Sequence, residues 1–140
     1  MRKFGLGLFV VLLIMCSCNP GNSGDSLELK SPDGKNILSF SLSGKGEPQY
    51  SLKKDNKALI EKSAMGFLFR KGDEFSSNFE IVKSGQITSN TSWKPVVGQY
   101  KEIKNHYNQL NVELKEKSGK KRKLNIIFRL FNDGLGFRYL

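Results

Sequence analysis

The sequence predicts an all-β protein, an antiparallel β-sandwich, and three observations carry that expectation. Short runs alternate apolar and polar side chains, turn-forming residues recur about every ten residues, and no segment has a convincing helical period. The alternation is clearest near the end of the chain. Leu124, Ile126, Phe128 and Leu130 share one parity and are all apolar, while Asn125, Ile127, Arg129 and Phe131 share the other and are mixed. A period of two places each set on its own face of a strand.

The chain opens with Met1-Arg2-Lys3 and an apolar run from Phe4 to Met15. A basic start and an apolar core of about a dozen residues match a secretory signal, well short of the roughly 20 residues of a membrane-spanning helix. Met15-Cys16-Ser17-Cys18 follows. A small residue directly before a cysteine resembles the lipobox of bacterial lipoproteins, with Cys18 as the lipid-bearing first residue of the mature chain and Met15 departing from the usual Leu. The expectation is a lipoprotein signal peptide over 1–17 and an exported protein anchored by lipid in a bacterial outer membrane or facing the periplasm. No cysteine follows Cys18, which excludes an internal disulfide, a cysteine zinc site and thiol chemistry in the mature chain.

Residues 18–26, through Asn19-Pro20-Gly21-Asn22-Ser23-Gly24-Asp25-Ser26, are small and polar and read as a tether. The domain then runs from Leu27 to Leu140, long enough for one modest core. Leu27–Lys30 is a first strand, and Ser31-Pro32-Asp33-Gly34-Lys35 is a turn. Leu38, Phe40 and Leu42 mark the buried face of a second strand, and Gly44 to Pro48 break it. Tyr50 and Leu52 carry a third, followed by the turn Lys54-Asp55-Asn56-Lys57 and by Ala58-Leu59-Ile60. Met65, Phe67 and Phe69 fall on one side of the next segment. Phe79 to Ile87 is a strand with a bulge expected at Gly85. Leu110, Val112 and Leu114 alternate with Asn111, Glu113 and Lys115, and Lys120-Lys121-Arg122-Lys123 stands at a hairpin tip before Leu124. Asn132-Asp133-Gly134 is a turn, and Leu135, Phe137 and Tyr139 alternate beyond it. The run ends on apolar, strand-like residues. It is read as part of a longer sheet, so the sandwich is expected to be incomplete at its C-terminal side.

Removal of the signal takes Arg2 and Lys3 with it, so the formal charge falls from +10 to +8. Nucleic-acid binding would need that charge gathered along one groove with stacking aromatics. The lysines are instead spread through turns, and no nucleic-acid partner is expected. His106 is the one histidine, and there is no metal-ligand spacing, phosphate loop or nucleophile elbow. Neither a catalytic residue nor a metal ligand is therefore assigned. Asp133 either fixes its own turn or reaches a ligand from the end of a sheet. Trp93 is expected as a core plug, with stacking on a sugar ring as the alternative.

Three blocks together resemble the N-terminal domain of glycoside hydrolase family 97. They are Trp93-x-Pro95-Val96-Val97-Gly98-Gln99-Tyr100, Ile103-Lys104-Asn105-His106-Tyr107-Asn108-Gln109, and Phe128-Arg129-x-Phe131-Asn132-Asp133-Gly134-x-Gly136-Phe137-Arg138-Tyr139. Ser31 to Lys35 and Pro48 to Leu52 agree with it. Lys104, Gln109 and Gln99 stand where the family would have Arg, Glu and Glu. The resemblance implies a sandwich of the super-sandwich type that walls the sugar pocket of a (β/α)8 barrel in an exported α-glucosidase or α-galactosidase. It implies calcium for the full-length enzyme, an α-linked oligosaccharide as its ligand, and a chain inactive without its barrel. Asn105, Asn108, Arg129, Asp133 and Arg138 are the candidates for contact with the pocket or the barrel. The alternative is a stand-alone surface lipoprotein whose sandwich binds glycan or protein.

Overall fold

A computed structural model describes residues 26–140. The signal peptide, Cys18 and the tether up to residue 25 lie outside the described residues. Eight strands follow: β1 Leu27–Lys30, β2 Asn36–Leu42, β3 Pro48–Lys54, β4 Lys57–Ala64, β5 Phe79–Trp93, β6 Ile103–Glu116, β7 Lys123–Leu130 and β8 Leu135–Tyr139. They form two antiparallel meanders, β1-β2-β3-β4 and β5-β6-β7-β8, each in chain order. Sequence neighbours are thus neighbours in space, which follows from turns too short to reach past an adjacent strand. Asp55 and Asn56 both take positive φ in the β3–β4 turn, the geometry that two-residue hairpins need and that these residue types tolerate.

The meanders stack face to face. Leu29, Leu38, Phe40 and Leu52 of the first sheet and Leu110, Val112, Leu114, Leu124, Ile126, Phe128 and Leu130 of the second form one buried cluster. Aromatic contacts span the layers, with the Phe40 and Phe128 rings 5.7 Å apart and those of Tyr50 and Phe137 5.8 Å apart. Polar contacts join the layers at one end. The buried side-chain amide of Asn36 donates to the carbonyls of Phe131 and Asn132 at 2.9 and 3.0 Å, and the backbone N–H of Asp33 donates to Asn132 Oδ1. The two turns singled out in the sequence therefore clasp one another across the sandwich.

Four expectations are revised. Met65 to Arg70 is no strand; only the bridge Phe67–Phe75 forms. Gly66 has φ +141°, and a Cβ there would come within 2.7 Å of Ser76 Cα, so the chain turns where a strand would continue. Met65 is buried, but Phe69 is exposed. The β5 bulge lies at Val82, exposed and unpaired between the pairs Ile81–Leu114 and Lys83–Glu113, while Gly85 stays in register opposite Asn111. Strand β5 also runs six residues beyond Ile87, to Trp93. Finally, Trp93 is 55% exposed rather than a core plug: it pairs with Ile103, beyond the reach of the other strands. The loop after it leaves Val96 and Val97 102% and 87% exposed.

At the opposite end of β6, Glu116 is buried and bonded to Arg122 at 2.6 Å (Nη2–Oε1) and 3.0 Å (Nε–Oε2). Arg122 also lies 4.4 Å above the Phe75 ring and donates to the Glu74 carbonyl. The Arg122 bond holds the Glu116 carboxyl below the usual carboxylate range.

Candidate functional site

Burial of Leu110, Val112, Leu114 and Glu116 of β6 and of the even-numbered residues of β7 turns the odd-numbered ones outward. The register pairs Gln109 with Arg129, Asn111 with Ile127 and Asn105 with Thr91. The outer face of the second sheet therefore carries Asn105, Tyr107, Gln109, Arg129 and Phe131, with Arg138 beside Ile127. Arg129 is held there from two sides. Its Nε donates to Gln109 Oε1 at 2.8 Å, and its guanidinium lies 4.6 Å from the centre of the Tyr107 ring. Tyr107 packs in turn on Phe131, with ring centres 5.2 Å apart. Gln109 is only 6% exposed although it lies on the outward side; its amide also donates to Asn111 Oδ1 at 2.8 Å. A planar cation set on an aromatic face and anchored through one nitrogen is pre-organised.

Next to it is an open groove of about 270 Å³ lined by Ile127, Arg129, Phe131, Gly136, Phe137 and Arg138. Gly136 is the direct partner of Arg129, and a Cβ there would meet no atom within 4 Å. The glycine thus keeps the groove low beside the guanidinium. Two guanidinium groups on a floor that is otherwise apolar can recognise hydroxyl, carbonyl or carboxylate oxygens.

The five candidates do not converge. Arg129 and Arg138 share the groove. Asn105 stands further out on the same face, bonded to Thr91 Oγ1 at 3.4 Å. Asn108 has the opposite parity and spans the sandwich edge: its amide donates to the Lys30 carbonyl at 2.8 Å, and its oxygen accepts from Thr88 at 2.7 Å. Asp133 lies in an open cleft with Lys104, His106, Phe131 and Asn132. The side-chain bonds that tie its turn across the sandwich come from Asn36 and Asn132. Tyr107, Gln109 and Phe131 were missed as neighbours of Arg129. A β6–β7 turn centred on Gly119 sets their register, and that signal was available in the sequence.

Among the described residues no three His, Cys, Asp or Glu side chains stand together as a possible metal site. The described residues also contain no helix long and apolar enough to cross a membrane.

Two stacked meanders, with an aromatic-supported arginine on the outer face of the second, define a β-sandwich domain. The family model "Glycosyl-hydrolase 97 N-terminal" matches residues 29–140, and the chain belongs to that family. Among solved structures, it is similar to a glycoside hydrolase family 97 enzyme from Pseudoalteromonas sp. strain K8. Complexes of that enzyme with panose (a variant) and with acarbose each give 31% identity and a TM-score of 0.76 over 81% of this chain. It is also similar to a beta-arabinopyranosidase, at 25% identity and a TM-score of 0.71 over 81% of this chain. The chain spans 17% of the length of the first enzyme and 18% of the second.

Proposed function

We propose that this chain is the N-terminal sandwich of an exported α-glycosidase, of the α-glucosidase or α-galactosidase type, and that it is inactive without its catalytic barrel. The observation that carries this reading is the likeness to the Pseudoalteromonas enzyme over four-fifths of the chain. That relative's complexes with panose and acarbose support an α-linked oligosaccharide as ligand of the whole enzyme. The outer sheet face, with Arg129 and Arg138 at its groove and Asn105 and Asp133 at its margins, is the surface that meets the barrel or walls its pocket. Asn108 serves this role by bracing the two sheets. Glycoside hydrolysis needs two carboxyl groups set across the scissile bond. In this reading they and the calcium ligands belong to the barrel. Lipid on Cys18 tethers the protein to the outer membrane or holds it facing the periplasm.

The test is thermal unfolding of the purified full chain by circular dichroism, with and without panose, alongside an assay for released glucose. The expected result is no glucose and an unfolding midpoint that panose leaves unchanged. A midpoint raised by panose would support the stand-alone glycan-binding lipoprotein instead, since a ligand stabilises only the state it binds. Released glucose would overturn the assignment of the chemistry to the barrel.

A further inference from the structure

The way the chain enters the sandwich and the position of its one dense basic run coincide. Strand β1 runs antiparallel to β2, with Leu27 opposite Phe40 and Lys30 opposite Ile37. The described chain therefore enters β1, at Ser26 and Leu27, on the side of the β2–β3 turn. That turn touches the β6–β7 hairpin through Asn78, whose N–H donates to the Lys45 carbonyl and whose carbonyl accepts from the Lys117 N–H. The hairpin tip is held in place by the Asn78 amide bond to Ser118 Oγ and by the Arg122–Glu116 pair. It carries Lys117, Lys120, Lys121, Arg122 and Lys123.

Two of those five cations have ion-pair partners, Arg122 with Glu116 and Lys120 with Asp73 at 2.7 Å. Lys117, Lys121 and Lys123 form no ion pair among the described residues. Lys123 also stands directly opposite Lys115 in the ladder, an arrangement of like charges that destabilises a sheet. Local pairing thus leaves the tip with a surplus of positive charge. At the other end the β3–β4 hairpin sets Asp55 among Lys53, Lys54 and Lys57, and the β7–β8 turn carries Asp133 and no cation.

We propose that this basic end of the sandwich rests on anionic lipid headgroups and sets the orientation of the domain on the membrane. A single lipid attachment leaves a domain free to tumble at the end of its tether, and a basic patch supplies a second, electrostatic attachment. With the β6–β7 tip against the bilayer, the β1–β2 and β7–β8 turns point away from it, together with Asn105 and the exposed arm beyond it. The proposal rests on the lipid-anchor reading for its biological setting, but the charge and the topology can be tested separately.

The test uses the full chain, produced with its leader in a Gram-negative host and purified from the membrane fraction. Its mass reports whether Cys18 carries lipid. The protein is reconstituted on vesicles of phosphatidylcholine, alone or with about one-third phosphatidylglycerol, and trypsin cleavage between Lys117 and Lys123 is timed. Cleavage is expected to slow about fivefold on the anionic vesicles, with protection lost in 0.5 M salt, roughly the screening expected at a Debye length below 5 Å. Lys117→Glu, Lys121→Glu and Lys123→Glu together, made in the Cys18→Ala chain so that no lipid holds it to the vesicle, should abolish the binding of that chain to the anionic surface, read by sedimentation because tryptic sites are lost. The corresponding glutamine variants give a second reading should the glutamates disturb the hairpin. Equal cleavage on both vesicle types, or undiminished binding of the variants, overturns the proposal. An unlipidated Cys18 overturns the anchor alone, because sedimentation with anionic vesicles still reports the basic end.

Discussion

The two ends of the β5–β6 hairpin are continuous in backbone and opposite in environment. From Leu110 to Glu116, every even residue of β6 is buried beneath the first sheet, and the final carboxylate is clamped by Arg122. Toward its last pair, Trp93 and Ile103, the same ladder projects beyond the other strands, and Trp93 and the loop residues Val96, Val97 and Tyr100 are largely exposed. Both ends are rich in apolar and β-branched residues, so composition does not separate them. What separates them is cover: β1, β2 and β3 lie over one end, and among the described residues nothing lies over the other. A large apolar residue contributes stability only where a second layer removes it from water.

The largest test of that contrast is Phe128→Ala. Phe128 is fully buried between Phe40 and Tyr50, and its removal should destabilise the domain by about 3–5 kcal/mol, measured by urea unfolding. A loss below about 1 kcal/mol would mean that the sheets do not share one core. Asn36→Ala removes both amide bonds to the Phe131 and Asn132 carbonyls and should cost about 1–3 kcal/mol in the same assay. Hydrogen exchange should quicken at the β7–β8 turn while the Glu116 end keeps its protection.

Acidification comes next in size. Arg122 holds Glu116 below its ordinary value of 4.5, and Ser31 holds Asp33 below 3.8. A carboxyl with a lowered folded pKa contributes stability that is complete above its unfolded value and is lost as pH falls through the folded one. Thermal midpoints should therefore be level above about pH 5 and decline below the 4.5 of an unperturbed glutamate. Glu116→Gln should lower the midpoint at neutral pH and flatten the acid decline. The smallest effect is expected at the arm. Val97→Ser should change stability by less than about 0.5 kcal/mol, and a larger loss would show that the arm folds back onto the sandwich.

Much of the fold was legible because alternation and turns are local properties. The buried faces of β2, β6 and β7 and the turns at 31–35, 54–57 and 132–134 were all readable from residue type and spacing. The segment from Met65 to Phe69 misled because its parity fits a strand, while the close approach of Ser76 to Gly66 cannot be read from neighbours in the chain. The candidate site was only half legible. Arg129 and Arg138 could be chosen as unusual residues among apolar ones, but their separation from Asn108 depends on which side of β6 faces the other sheet.

Residue order by itself determined the strands, their turns and which face of each is apolar, since these follow from backbone geometry over a few residues. The tertiary structure decided that Asn36 clasps the β7–β8 turn, that Gln109 and Tyr107 hold Arg129 over a groove, and that Trp93 stays in water. Each of those outcomes depends on which surfaces meet when two sheets stack, and burial is a property of the pair of surfaces, which no single strand contains.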